Sequence, residues 1–81
     1  MRLPRDVSGS DLVKALKRLG YVETRQTGSH IRLTLSTDGE HHLTVPAHDP
    51  LKLGTLAAII ADIAQQRKIS KEQAVLLLFG K

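Results

Sequence analysis

The stretch from Tyr21 to Leu35 constrains the fold more than any other part of the chain. Tyr21-Val22-Glu23-Thr24-Arg25 and Ile31-Arg32-Leu33-Thr34-Leu35 both read as strands, rich in β-branched residues. Thr27-Gly28 lies between them as a turn signal, because glycine adopts the positive φ that a tight hairpin needs. Strand side chains alternate with a period of two. Ile31, Leu33 and Leu35 therefore share one face, and His30, Arg32 and Thr34 share the other. Such a hairpin is apolar on one side only, and that side must be covered. The other side carries an imidazole beside a guanidinium.

The rest of the chain supplies a third strand and the cover. Ser36-Thr37-Asp38-Gly39-Glu40 is a second turn with a strong Asp-Gly signal, and His41-His42-Leu43-Thr44-Val45 follows as a strand with Leu43 and Val45 inward. His42 and Thr44 then face outward with His30 and Arg32. Upstream, Ser8 and Asp11 form a capping box before Leu12, Leu16 and Leu19, one apolar stripe at helical spacing, with Val13 and Ala15 at its margins and Gly20 as the stop. Downstream, Pro46-Ala47-His48-Asp49-Pro50 is a stiff connector. Gly54-Thr55, with Thr55 as N-cap, opens a helix that is apolar around most of its girth from Leu56 to Ala64 and ends at Gln65-Gln66-Arg67-Lys68. Ser70 and Gln73 start a last helix over Lys71–Phe79.

The expected fold is α+β: an α-β-β-β-α order like that of the double-stranded-RNA-binding domain, a three-stranded antiparallel sheet with helices on one face, plus a short C-terminal helix. A length of 81 residues suits one domain over 1–81. Tyr21 and Phe79 are the only aromatics beside the histidines, so the core is aliphatic. The chain has no cysteine, which excludes disulfides and thiolate metal sites and suits a cytoplasmic location. Met1–Asp6 has no signal-peptide apolar core, and the longest apolar run near the C-terminus, Leu56–Ala61, is far short of a membrane span. A formal net charge of +4 favours nucleic acid or an acidic protein as partner.

Motifs for phosphate-cradling loops, serine hydrolase triads and paired carboxylates are missing. Four histidines remain as the groups that titrate near neutrality. RNA carries its own nucleophile, the 2′-hydroxyl, so a ribonuclease needs neither metal nor covalent intermediate. An imidazole serves as base or acid, and a nearby guanidinium such as Arg25 or Arg32 stabilises the charge that develops on phosphorus. By spacing alone, His30 reads first as an exposed polar residue at a strand start, and Lys14, Lys17 and Arg18 as the solvated face of an amphipathic helix. His41 and His42 point oppositely on their strand, which argues against a metal site. No cofactor is expected.

Gly20-Tyr21, Arg25-Gln26, Gly28-Ser29-His30, Val45-Pro46 with His48, and Gly54-Thr55-Leu56 together resemble the HicA-type messenger-RNA interferase toxins. The resemblance spans about Ser10 to Ser70. It implies a metal-independent endoribonuclease with His30 as the catalytic residue, messenger RNA as substrate and a HicB-like antitoxin as inhibitory partner. His48 matches the histidine of the family's Val-Pro-x-His segment. Thr27 and Ala57 depart from the pattern, standing where many relatives carry basic residues.

Expected RNA contacts are Lys14, Lys17, Arg18, Arg25, Ser29, Arg32, His48 and Lys52. A different class of function, a non-catalytic RNA-binding or partner-binding module of the same fold, would tolerate loss of His30. The run Ala74-Val75-Leu76-Leu77-Leu78-Phe79 is too apolar for one helix face to bury. It leaves either scattered exposed leucines or a patch for a partner or second copy.

Overall fold

A computed structural model describes residues 3–37 and 39–80. Met1, Arg2, Asp38 and Lys81 lie outside them, and with Asp38 so does half of the expected Asp-Gly turn. The elements run α1 Gly9–Arg18, β1 Val22–Thr27, β2 His30–Leu35, β3 His41–Pro46, α2 Leu53–Arg67 and α3 Lys71–Phe79. The three strands form one antiparallel sheet in the order β1-β2-β3. This is the expected order, including the short C-terminal helix.

Local signals account for most boundaries. Ser8 and Asp11 form the reciprocal capping box at the start of α1. The Ser8 backbone N–H, and secondarily its side chain, hold the exposed Asp11 carboxyl below its ordinary pKa. At the other end Gly20 has φ of +104°, and the Gly20 and Tyr21 N–H groups bond back to Lys17 and Leu16 carbonyls at 3.1 Å each. That is a Schellman motif. The end of α2 repeats it without a glycine: Lys68 takes the left-handed conformation, with Ile69 N–H bonded to Ala64 O.

The start of α2 differs from the sequence expectation. Its N-cap is Lys52, with no side-chain cap bond, and Thr55 sits inside the first turn. The connector sets this boundary: Leu51 N–H is bonded to Val7 O at 2.7 Å, so the chain is already fixed when Leu53 begins to coil.

The buried residues form one contiguous cluster between the helices and one sheet face. Leu12 and Leu16 of α1, Leu33 and Val45 of the sheet, Leu56, Ile60 and Ile63 of α2, and Leu78 of α3 lie at its centre. Leu19 is only half buried, whereas Val13 and Ala15 are buried. β1 is an edge strand exposed along its whole length.

Candidate functional site

The hairpin turn is Gly28-Ser29, one residue later than the sequence suggests, and β1 continues through Thr27. Gly28 has φ of +56°, while Ser29 stays at negative φ. Glycine at the first central position is the pattern of a type II′ turn. Thr27 and His30 are consequently cross-strand partners, and His30 pairs on its other side with Pro46. His30 thus occupies the middle of a three-strand row at one end of the open sheet face.

The adjacent row is made by an irregularity that alternation alone does not reveal. Val22 pairs with Thr34 and Glu23 with Leu33, but Arg32 pairs with Arg25 instead of Thr24. Thr24 is the extra residue of a β-bulge. Its hydroxyl lies 3.4 Å from both Arg32 O and Thr34 Oγ1. With strict alternation Arg25 would fall opposite Ile31 and point to the core side. The bulge turns it to the open face, directly across from Arg32, with Thr44 completing the row.

Two like charges opposite each other on a sheet are destabilising. Neither arginine has an ion-pair or side-chain hydrogen-bond partner among the described residues, and His30 likewise has none. The open face therefore presents two uncompensated guanidiniums one row from an exposed imidazole.

Backbone bonds tie this end of the sheet to the helices. Ala47 N–H donates to Ser29 O at 2.6 Å, and Gly9 N–H, the first of α1, donates to His48 O at 2.8 Å. Ser29, His30 and His48 are thereby linked to the N-terminus of α1, and Lys52 lies four residues beyond His48. The first turn of α2 holds no acidic residue and its N-cap supplies no side-chain acceptor. Its amide N–H groups and Lys52 are both suited to an anion.

Other expected contacts are not gathered here. Lys17 is 3.9 Å from Glu23 in an exposed ion pair, and Arg18 donates to Leu78 O at 3.0 Å, anchoring the end of α3. Both sit at the C-terminal end of α1, away from Gly9 and the His30 row. Lys14 is exposed midway along that helix, in the layer behind the sheet. The eight expected RNA contacts thus divide into a group at the His30 end of the sheet and Lys14, Lys17 and Arg18 along α1.

Sequence reasoning also missed a buried polar cluster. His41 is inward and buried, with Nδ1 2.5 Å from the Tyr21 hydroxyl and Nε2 3.0 Å from Asp62 Oδ1. Burial chiefly, and secondarily the Asp62 charge, push the Tyr21 pKa up against the opposing pull of Arg67. The phenol stays protonated, and in the tautomer where it donates to Nδ1, Nε2–H donates to Asp62. Tyr21 then stabilises the fold below its ordinary pKa of 10.0, and that contribution fades as pH rises through the higher folded value.

This cluster is structural with respect to the His30 row, since His41 pairs with Leu35 at the opposite end of β2. Tyr21→Phe leaves the buried Nδ1 unpaired and is expected to cost about 1–3 kcal/mol in urea unfolding. His42 is outward as expected, held by Thr34 Oγ1 at 2.9 Å and Glu40 at 3.0 Å, two rows from His30.

Compared with known proteins, the chain matches the family described as HicA toxin of bacterial toxin-antitoxin over residues 9–65, more than half its length. No curated protein and no solved structure matches it. Among the described residues, no helix is long and apolar enough to cross a membrane.

Proposed function

We propose that the chain is a metal-independent endoribonuclease acting on messenger RNA, on the premise that it belongs to the HicA toxin family of bacterial toxin–antitoxin systems. One observation carries the catalytic part: the exposed His30 imidazole lies one row from the unpaired Arg25–Arg32 pair on the open sheet face. His30 takes the proton of a ribose 2′-hydroxyl as that oxygen attacks the adjacent phosphorus in line. The 5′-oxygen takes a proton from solvent as it leaves and His30 releases its own to solvent, giving a 2′,3′-cyclic phosphate and a 5′-hydroxyl. Arg25 and Arg32 stabilise the extra negative charge on the phosphoryl oxygens. Ser29, His48 and Lys52 extend the phosphate-binding surface around the row. A toxin of this class has an antitoxin partner, here a HicB-like protein that blocks the site.

Induced expression of wild type and His30→Ala in bacteria tests this reading. Degraded messenger RNA and arrested growth are expected with the wild type only. Equal RNA decay in both, or in neither, contradicts it.

The phosphate-binding residues are tested separately by salt dependence. Binding of a single-stranded RNA to the His30→Ala protein should weaken linearly in log–log against salt. Arg25→Gln with Arg32→Gln should lower that slope by about 0.7 for each phosphate no longer neutralised. Lys17→Gln, at the far end of α1, should change it little. A slope untouched by the arginine pair places the RNA elsewhere.

A further inference from the structure

The last helix, α3, lies beyond the residues matched by the toxin family, and its apolar excess is resolved unevenly. Leu78 is fully buried, but Leu76 is 66% and Leu77 45% exposed. Leu77 forms one wall of a cleft of about 300 Å³, whose other walls include Leu35, Ile69, Arg67 and Lys68. Ile69 and Leu77 also line a second, shallower hollow of about 350 Å³ that reaches Leu76. The two meet at Ile69 and Leu77: the hollow is mostly apolar, and the cleft adds the polar side chains of Thr37 and Gln66 to its wall.

Its charged lining, among the described residues, is cationic only. Arg67 is incompletely satisfied: its Nε is buried without a partner, and its Nη2 reaches only Leu19 O at 3.4 Å. Nε is closed off from outside, but Arg67 lines the cleft, and a carboxylate is the group that pairs best with a guanidinium there. A second copy of this chain fits poorly, because it carries a formal net charge of +4 and would set the same cations against themselves.

We infer that the groove between the end of α2 and α3 docks an acidic amphipathic segment of the antitoxin, apolar side chains on Ile69, Leu76 and Leu77 and a carboxylate on Arg67 and Lys68. The inference rests on the toxin–antitoxin reading, but not on cleavage by His30. The groove is remote from His30, since Leu35 stands at the opposite end of β2. An antitoxin held there is anchored away from the catalytic row, which another part of it covers.

The test is titration calorimetry of the full chain, carrying His30→Ala to spare the host, with the purified product of the adjoining gene. Leu77→Glu and Lys68→Glu are each expected to weaken binding about tenfold or more, as loss of a central interface residue does. Circular dichroism should stay unchanged, because both side chains are substantially exposed. In an otherwise wild-type background the same variants should cleave RNA normally but escape inhibition. Unchanged affinity in both variants overturns the inference. If affinity falls instead with Arg25→Gln and Arg32→Gln, the antitoxin sits on the sheet face and the toxin reading survives alone. If the free chain is a dimer that Leu77→Glu dissociates, the groove serves a second copy and the inference is again overturned. Failure of the wild-type surface to bind at all removes this inference, while RNA cleavage by the chain still decides the toxin reading.

Discussion

His30→Ala is expected to lower RNA cleavage by about 10²–10⁴-fold, the range for removing a positioned general acid or base. The fold should survive, because His30 is exposed and makes no side-chain hydrogen bond among the described residues. Surface substitutions away from caps and cores usually shift stability by no more than about 0.5 kcal/mol. RNA binding should largely persist, since in the proposed reading the phosphates are held by Arg25, Arg32 and Lys52. Binding and cleavage therefore separate in this one variant, which a shape-reading RNA module would not show.

The chemistry adds a second arm to the same experiment. In the proposed mechanism the nucleophile is the substrate's own 2′-hydroxyl, so 2′-deoxyribose at the scissile position should block cleavage by the wild type. The 5′ fragment should end in a 2′,3′-cyclic phosphate, and a chelator should have no effect on rate. Cleavage of the deoxy substrate as fast as RNA sinks the mechanism. So does a purified His30→Ala protein, free of host ribonuclease, that cuts at the wild-type rate.

What could be read before the structure is what local chemistry dictates. Ser8 with Asp11 and Ser70 with Gln73 are reciprocal caps, and each forms as its spacing implies. The alternation of β2 and β3 places Leu33, Leu35, Leu43 and Val45 in the core and leaves His30, Arg32, His42 and Thr44 outside. β1 was less legible. Its bulge depends on pairing across the hairpin, and nothing in Val22–Thr27 marks Thr24 as the extra residue. Hence the sequence could propose Arg25 as a cation without placing it opposite Arg32.

The same limit applies to Arg18 and His41. Arg18 reads as a surface cation, yet it bonds a carbonyl 60 residues away. His41 reads as one of four similar histidines, yet Tyr21 and Asp62 enclose it. Tertiary partners decide both cases. A basic helix face seen along the chain is thus an upper bound on the cations available to one RNA. The excess of leucines in α3 was visible, but not which of them would remain exposed.

Gly9→Ala is expected to impair both stability and cleavage, although alanine is the better helix former. Gly9 is buried at the first position of α1, and a Cβ there would overlap Pro46 O and lie 3.1 Å from Ala47 Cα. Both are backbone atoms that cannot rotate away, so the helix and the 46–48 segment must separate. Overpacking of this kind costs about 1–3 kcal/mol, against at most about 1 kcal/mol gained from propensity. Sterics win. The strain falls on the segment whose Ala47 N–H holds Ser29 and whose His48 carbonyl accepts from Gly9 itself. Moving it shifts Pro46, the cross-strand partner of His30, and with it the imidazole. A displacement of about 1 Å in a catalytic group can cost on the order of 10²-fold in rate. Cleavage should therefore fall even at temperatures where the variant is fully folded, without a matching loss of RNA affinity. Gly54→Ala is the control, since nothing lies within 4 Å of a Cβ added there and the position is helical. It should melt at or slightly above the wild-type temperature and cleave normally. A Gly9→Ala protein that melts no lower and cleaves no slower than wild type would show that the α1 terminus does not position His30.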